Sequence, residues 1–442
     1  MTVRPGDPES ADAEVVQRHV KAVGKTWRDP VRRRRLFERA VRLREEHPGL
    51  PDFQVIPDAR DAAGLLVSSE ELLVRREDLA GRDDAVRRNG LVPEPVAALG
   101  GRVVRLVPAP GGPRRSVVGR SADLRRDQVP AEVSYVTAMA VVIKSLGGAE
   151  PAERRWPPLP SGTTAGASVR VAVVDTGVTR QTRTDGWLAG LAQDPGNIDE
   201  LDTSPHNGKL DAAAGHGTAV AGLVQQEAPE VALAVYNPVP PDGAATETVV
   251  GAAMVTAVQE AFAAGQSVVL NLSLGTTTTD DEPPVALAAA LAEIEALAAA
   301  SPHEALVVAA AGNYGEDRPV FPGALPGVVA VGGLRQDLTP AAWSSYGDWV
   351  TCSVIGDGVL STYVEGAEDP EFDPVCPDTF GPDPFALHFG TSFAAPQVAA
   401  RVARVAQEER IGLRAALDRV LDGAPALPGY GRVLTIQPAI GT

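Results

Sequence analysis

The 442-residue sequence is poor in the residues that hold disulfide-rich or metal-bound domains together. Only two cysteines occur, Cys352 and Cys376, so disulfides are not the framework of the fold, although a single bridge and two free thiols both remain open. No run of about 18 apolar residues predicts a transmembrane helix. The first residues are polar and lack the apolar core of a secretory signal. These absences predict a cytoplasmic protein without membrane contact.

Charge is distributed unevenly along the chain. Residues 1–160 carry 28 of the 40 Lys and Arg and 23 of the 57 Asp and Glu. The remaining residues therefore carry 12 basic side chains (40 − 28) and 34 acidic ones (57 − 23). A strongly acidic second part excludes nucleic acid as its partner, because phosphate would be repelled. The opposite charges of the two parts instead favour an intramolecular contact between a basic N-terminal domain and an acidic second domain.

Residues 1–160 predict a small α+β domain without catalytic motifs. Residues 12–23 and 31–46 have helical patterns, and four β-rich runs bounded by Gly and Pro lie between 65 and 143. The domain ends in a Pro- and Gly-rich stretch, which predicts an extended, exposed linker and a boundary near 150–165. We therefore expect two domains, 1–160 and 161–442.

Residues 161–442 predict an α/β fold. Continuous apolar strands alternate with helical segments, which is typical of a mostly parallel sheet with helices on both faces. In such sheets ligand sites form at the carboxyl ends of the strands. Asp175 and Asn313 follow strands directly, whereas His216 and Ser392 lie at helix starts. All four side chains are therefore expected at one edge of the sheet.

Three of these residues could form a nucleophilic site. An Asp that orients a His, which in turn deprotonates a Ser, is what acyl transfer needs, because a free hydroxyl is a poor nucleophile at neutral pH. Taken singly, Asp175 could belong to a turn, His216 to a loop, and Ser392 could be a helix N-cap. His388, four residues before Ser392, competes with His216 as the base.

Several segments together resemble the subtilisin-like serine proteases, the subtilase family. They are Val-Val-Asp175-Thr-Gly, Gly-His216-Gly-Thr-Ala-Val-Ala-Gly, Asn-Leu-Ser273-Leu-Gly, Ala-Ala-Ala-Gly-Asn313 and Gly-Thr-Ser392-Phe-Ala-Ala-Pro. Asp, His and Ser follow each other in the order known for subtilisin. The resemblance covers residues 165–425 and departs from the family at Ala219, where a second histidine is usual, and in a loop-like insertion over residues 365–387.

The resemblance implies a serine endopeptidase that works through an acyl-enzyme. Ser392, His216 and Asp175 would form the triad, and Asn313 would stabilise the oxyanion. The substrate would be a protein or peptide that adds a strand beside a wall formed by Ser273, Leu274 and Gly275. Ala310, Ala311 and Gly312 would line the first side-chain pocket, which the small residues predict to be roomy.

The resemblance leaves other points open. No metal site or cofactor is assignable; calcium is common in the family, but the sequence has no compact ligand loop for it. The N-terminal domain would be either a pro-domain, cut off at 145–165, or a permanent domain that recruits a dedicated protein or precursor-peptide substrate. The alternative function is a catalytically silent binding module with the same fold.

Overall fold

A computed structural model describes most of the chain. The described ranges are 11–18, 30–46, 50–110, 116–138, 149–159, 166–191, 195–203, 206–370 and 377–437. The predicted helix at 12–23 is helical over residues 11–18, and its remainder lies outside the described residues. Cys352 is buried as a free thiol, and Cys376 lies outside the described residues.

The first part of the chain forms an antiparallel sheet that is backed by short helices. Its strands are β1 Phe53–Ile56, β2 Leu65–Arg75, β3 Leu91–Pro95, β4 Val103–Pro108 and β5 Glu132–Ala138. Its helices are α1 Pro30–Glu46, α2 Arg76–Leu79, α3 Asp83–Arg88 and α4 Val117–Arg126. The order of the strands in the sheet is β5-β2-β4-β3, and β1 pairs antiparallel with β2. Leu72, Leu106 and Leu124 lie in the core between the sheet and the helices. The α+β pattern predicted from the sequence is present.

The sheet extends into the second part of the chain. Ala244–Thr246, which precedes the helix beginning at Glu247, pairs antiparallel with the end of β5, and Ala244 lies opposite Ala138. One strand of the later part therefore completes a sheet that belongs mainly to the earlier part.

The Pro-rich stretch before residue 160 is extended and partly exposed, and it also packs against the second part of the chain. Its first strand, β6 Glu150–Pro151, pairs antiparallel with Phe385–His388. Trp156 lies 4.8 Å from the ring of Trp187 and makes an edge-on contact of 5.3 Å with Phe385. The partner strand Phe385–His388 is more than 200 residues away along the chain, so local composition could not indicate this contact.

The second part is built on an eight-stranded sheet. The remaining strands of the chain are β7 Val169–Val174, β8 Val178–Thr179, β9 Ile198–Asp199, β10 Ala232–Tyr236, β11 Ala244–Thr246, β12 Ser267–Leu272, β13 Ala305–Ala310, β14 Val329–Leu334, β15 Cys352–Ile355, β16 Val359–Thr362, β17 Gly366–Ala367, β18 Thr379–Phe380, β19 Phe385–His388, β20 Ala426–Leu427 and β21 Gly431–Val433. The order of the large sheet is β10-β7-β12-β13-β14-β15-β21-β20, and only the β20–β21 pair is antiparallel. The mostly parallel sheet predicted from the sequence is confirmed.

Helices cover both faces of this sheet. They are α5 His216–Glu227, α6 Glu247–Ala263, α7 Val285–Ala299, α8 Thr391–Glu409 and α9 Leu413–Leu421. Side chains alternate along the central strands: Val308 packs with α5 and α8, whereas Val307 packs with α6 and α7. Burial on both faces explains why these strands have continuous apolar sequences. None of the helices in the described ranges is both long and apolar enough to cross a membrane.

Candidate active site

The predicted site residues meet at the carboxyl edge of the parallel sheet. Asp175 directly follows β7, Ser273 follows β12, and Asn313 comes three residues after β13. His216 begins α5 and Ser392 is the second residue of α8. Parallel strands end at the same edge, so this topology brings residues more than 200 positions apart in the sequence into one site.

Asp175 and His216 form the central hydrogen-bonded pair. His216 Nδ1 lies 2.8 Å from Asp175 Oδ1, and both side chains are buried. The same Oδ1 accepts the backbone N–H of Thr176 at 2.8 Å. A carboxylate at Nδ1 favours the tautomer that carries its proton there, which leaves Nε2 as a proton acceptor. The pair therefore has the geometry of an oriented general base.

A second buried carboxylate holds the backbone around this pair. Asp199 Oδ2 accepts the hydroxyl of Thr176 at 2.9 Å and the N–H of Gly215 at 2.8 Å. The Thr176 hydroxyl oxygen in turn accepts the N–H of Gly217 at 3.0 Å. Burial raises the pKa of Asp199 to about 7. The two neighbours of His216 are thus tied to one carboxyl group, a role that no motif in the sequence indicated.

Ser392 does not cap α8, so that interpretation of the sequence is wrong. The cap residue is Gly390, which has no side chain to cap the helix. Ser392 Oγ donates to the carbonyl oxygen of Ser273 at 3.0 Å, while Ser273 Oγ donates to the carbonyl of Ser392 at 2.7 Å. The hydroxyl is therefore placed against the strand that resembles the family's substrate wall. Attack on a carbonyl would require its proton to turn toward His216.

Asn313 is held with its amide group at the same helix start. Its Oδ1 accepts both the backbone N–H and the hydroxyl of Thr391, each at 2.9 Å. Thr391 Oγ1 also accepts the N–H of Gly312 at 3.0 Å. A Cβ on Gly390 would lie 2.9 Å from Asn313 Nδ2. The position before Thr391 therefore has to be a glycine if this amide is to keep its place.

His388 forms no ion pair with an acid in the part of the chain that the structure describes. Its ring stacks on Phe393 with a centroid distance of 4.5 Å, and burial together with the neighbouring His216 lowers its pKa to about 3. Nε2 of His388 has no hydrogen-bond partner among the described residues. The two histidines are thus distinguished by their surroundings: Asp175 contacts His216, and His388 is a neutral ring in the core.

The expected substrate wall is already paired with the N-terminal part of the chain. Gly275 N–H donates to the carbonyl of Ala138, the last residue of β5, at 3.1 Å, and the two residues form an antiparallel bridge. On the other side of the wall, Thr276 pairs with Phe321 through two hydrogen bonds of 2.8 and 2.9 Å. The backbone of Gly275 thus pairs with β5 in the way in which an extended substrate would add a strand.

The space between the two expected pocket walls contains a side chain that the sequence did not indicate. A Cβ on Gly275 would lie 2.7 Å from Val320 Cγ1, and one on Gly312 would lie 2.9 Å from Val320 Cγ2. Ser273 and Leu274 on one wall, and Ala310 and Ala311 on the other, are buried. Val320 thus lies next to both walls, and the roomy pocket that the small wall residues predict stays a prediction.

No metal site can be constructed from the described residues. Among them, no group of three or more His, Cys, Asp or Glu side chains is placed to hold an ion. No step of the chemistry is therefore assigned to a metal ion.

Comparison with known proteins agrees with this geometry. The profile described as "Subtilase family" matches residues 166–421, more than half of the chain. Thermitase of Thermoactinomyces vulgaris is 27% identical over 270 residues, which cover 58% of this chain and 82% of thermitase. The thermophilic serine proteinase of Bacillus sp. (strain AK1) is 27% identical over 286 residues and covers 61% of each chain. Subtilisin BL of Lederbergia lenta is 31% identical over 250 residues, 55% of this chain and 78% of that protein.

Two solved structures are also similar. The crystal structure of a lanthipeptide protease shares 25% identity and has a TM-score of 0.45, with 60% of this chain and 85% of that chain covered. A cold adapted subtilisin-like serine proteinase shares 20% identity and has a TM-score of 0.43, with 65% and 94% covered.

The chain belongs to the subtilase family. It is a subtilisin-like serine endopeptidase, as the sequence motifs indicated.

Proposed function

We propose that Ser392, His216 and Asp175 are the catalytic triad with which this chain hydrolyses peptide bonds. The observation that carries the proposal is the 2.8 Å bond between His216 Nδ1 and Asp175 Oδ1 at the sheet edge where Ser392 lies. Ser392 Oγ attacks the substrate carbonyl, and His216 Nε2 takes its proton. Asp175 fixes the imidazole and stabilises the imidazolium that forms.

The remaining steps use groups at the same helix start. The Asn313 amide and the Ser392 backbone N–H are placed to donate to the oxyanion of the tetrahedral intermediate. His216 then gives its proton to the leaving amine, which breaks the peptide bond and leaves an acyl group on Ser392. Water, deprotonated by His216, hydrolyses this ester and restores the hydroxyl.

Labelling with a fluorophosphonate tests this assignment. We expect Ser392 to be labelled and the Ser392→Ala chain to be neither labelled nor active, while its circular dichroism stays unchanged. Loss of this nucleophile costs about 10⁶ in kcat, a value known from subtilisin itself. A wild-type chain that folds but is not labelled would instead support a catalytically silent binding module.

We further propose that the N-terminal part is an inhibitory pro-domain docked over the substrate cleft. Several contacts of opposite charge support docking. Arg44 contacts Asp242 and Asp58 contacts Arg318, in each case across the two parts of the chain, and all four side chains are nearly buried. The N–H of Tyr135 in β5 donates to buried Glu247 at 2.9 Å.

The direction of β5 supports a product-like placement. Because Ala138 and Gly275 pair antiparallel, β5 at its last residue is directed from Gly275 toward Ser273, whose carbonyl contacts the Ser392 hydroxyl. On the other side, β6 is paired with Phe385–His388 from residue 150 onward. A cut between 139 and 148 would leave both strands in place, which favours an earlier position than the 145–165 expected from composition. The domain boundary would then lie in the same interval.

Mass spectrometry of the wild-type and Ser392→Ala chains tests this maturation. We expect wild type to give two fragments with a junction between Ala138 and Ala149, and the variant to stay intact. An intact, active wild-type chain would show a permanent N-terminal domain. The cytoplasmic location and a dedicated protein or precursor-peptide substrate stay predictions, which fractionation of cells and identification of cleaved proteins would check.

A further inference from the structure

The space between the substrate wall and the second pocket wall is occupied by Val320. Both walls end in a glycine that faces this residue, and a Cβ on either one would come closer than 3.0 Å to a Val320 methyl group. Val320 is 1% exposed. Its two branches thus contact the two walls, and the volume that a long substrate side chain would need is already filled.

Val320 is also fixed in position. The next residue, Phe321, exchanges two backbone hydrogen bonds with Thr276, directly after Gly275, and the carbonyl of Val320 accepts the N–H of Ala324 at 2.8 Å. A β-branched side chain has few rotamers. Ser345 Oγ would lie 3.2 Å from a Cβ on Gly312, so this end of the space is closed as well. Neither a backbone shift nor a rotamer change can empty the pocket without breaking these contacts.

We propose that Val320 is the residue that sets specificity at this pocket, and that the enzyme cleaves after small residues such as alanine, glycine and serine. The inference rests on the proposed function of Ser392. A leucine or phenylalanine side chain would have to overlap the Val320 methyl groups, and a tightly packed site does not absorb extra methylenes. One methylene in a fitted pocket changes kcat/KM about 10- to 200-fold, so discrimination between alanine and phenylalanine should exceed about 100-fold.

The test is a set of peptide substrates that differ only in the residue before the cleaved bond: Gly, Ala, Val, Leu and Phe. For the wild-type enzyme we expect kcat/KM to be at least about 100-fold higher with Ala than with Phe. In Val320→Gly, and to a smaller extent in Val320→Ala, the Phe-to-Ala ratio should rise at least about 100-fold. Val258→Ala, a truncation of an equally buried valine in α6, is the matched control and should leave the ratio unchanged.

Each result decides the proposal. Equal wild-type rates for Ala and Phe, or an unchanged ratio in both Val320 variants, would overturn it. If Val320→Gly does not fold, the wild-type profile and Val320→Ala still decide. Fluorophosphonate labelling separates the two levels: a labelled enzyme with a flat profile contradicts only the pocket inference, whereas an unlabelled, inactive enzyme contradicts the proposed function.

Discussion

Asn313 Oδ1 accepts two hydrogen bonds from Thr391, one from its backbone N–H and one from its hydroxyl, each at 2.9 Å. A backbone N–H can only donate, so the atom that faces it has to be the amide oxygen of Asn313 and not the nitrogen. Nδ2 is therefore directed to the other side, where a Cβ on Gly390 would touch it. Thr391, the residue before the proposed nucleophile, thus orients the proposed oxyanion donor.

The first prediction concerns this orientation. Thr391→Val keeps the shape and the backbone N–H but removes one of the two bonds to Asn313, and it leaves the N–H of Gly312 without its acceptor. We expect kcat to fall about fivefold, as for the loss of one hydrogen bond of about 1 kcal/mol, with KM little changed. Steady-state kinetics on a small-residue peptide would measure the split between kcat and KM.

A double-mutant cycle separates orientation from general damage. Asn313→Ala should cost on the order of 10²–10³ in kcat, the magnitude known for the corresponding loss in subtilisin. Once the amide is gone, Thr391→Val has nothing left to orient, so the double variant should be no slower than Asn313→Ala alone. Fully additive losses would contradict the proposed role of Thr391.

A second prediction follows from the glycine before Thr391. Gly390 has a φ of 130°, which L side chains rarely adopt, and its Cβ would lie 2.9 Å from Asn313 Nδ2. Gly390→Ala should therefore lower kcat by at least tenfold and destabilise the fold by about 1–3 kcal/mol. Urea unfolding and kinetics measure the two effects.

The matched control for this prediction lies nearby in the chain. Gly381 is exposed, has no positive φ, and a Cβ there would meet nothing within 4 Å. Gly381→Ala should leave both stability and kcat at the wild-type values. Equal effects of the two substitutions would show that Gly390 has no special relation to Asn313.

The sequence was most informative where a functional residue lies inside a local motif. Asp175, His216 and Ser392 each follow a recognisable strand end or begin a helix, and parallel topology alone brings such positions to one edge. Asn313 belongs to the same group of motifs. The main sheet, its covering helices and the candidate triad were therefore predictable without any long-range contact.

Residues that act through long-range packing could not be found in this way. Val320 looks like an ordinary apolar residue before Phe321-Pro322, and only the pairing of Phe321 with Thr276 places it between the pocket walls. The composition around Glu150–Pro151 predicts only a linker, because the partner of this strand, β19, is more than 200 residues away. Asp199 has no motif at all; its role depends on Gly215 and Thr176 folding back onto it.

A third prediction distinguishes the two histidines near Ser392. His388 stays neutral over the working pH range, because burial and the adjacent His216 lower its pKa to about 3. His388→Phe keeps the stacking on Phe393 and removes a buried Nε2 that lacks a partner among the described residues. We expect kcat within about tenfold of wild type and an unchanged midpoint on the acid side of the pH–rate profile.

The matched comparison is His216→Ala, which should lower kcat by about 10⁶, as loss of the triad histidine does in subtilisin. A large loss in His388→Phe, or a shifted acid midpoint, would mean that His388 takes part in the proton transfer.

The fourth prediction is a pH dependence of the contact between the two parts of the chain. Glu247 is fully buried, and its two oxygens accept the N–H of Tyr135 in β5 at 2.9 Å and the N–H of Ala286 in α7 at 2.7 Å. Its pKa is raised from an ordinary 4.5 to about 8, chiefly by burial. The two hydrogen bonds act in the opposite direction, and the carboxylates of Glu132 and Glu71 add to the increase.

The sign of the effect follows from proton binding. Between pH 4.5 and about 8 the folded chain holds a proton on Glu247 that the unfolded chain has released. The contribution of Glu247 to the free energy of unfolding is therefore fully present below pH 4.5 and is lost as the pH rises to about 8. The loss is at most about 1.4 kcal/mol per pH unit. Ser392→Ala, which keeps the chain uncut, should accordingly melt at a lower temperature at pH 8.5 than at pH 5.5.

Glu247→Gln in the Ser392→Ala background isolates this contribution, because glutamine has no proton to lose. Its melting temperature should be lower than that of the parent at pH 5.5, since the amide group faces one of the two N–H donors, and the difference should shrink or reverse by pH 8.5. Glu260→Gln is the control: it removes an exposed carboxylate of α6 that accepts a hydrogen bond from the Tyr236 hydroxyl. It should change the melting temperature by the same amount at pH 5.5 and at pH 8.5. A parallel pH dependence in the Glu247 and Glu260 variants would show that Glu247 is ionised in the docked state.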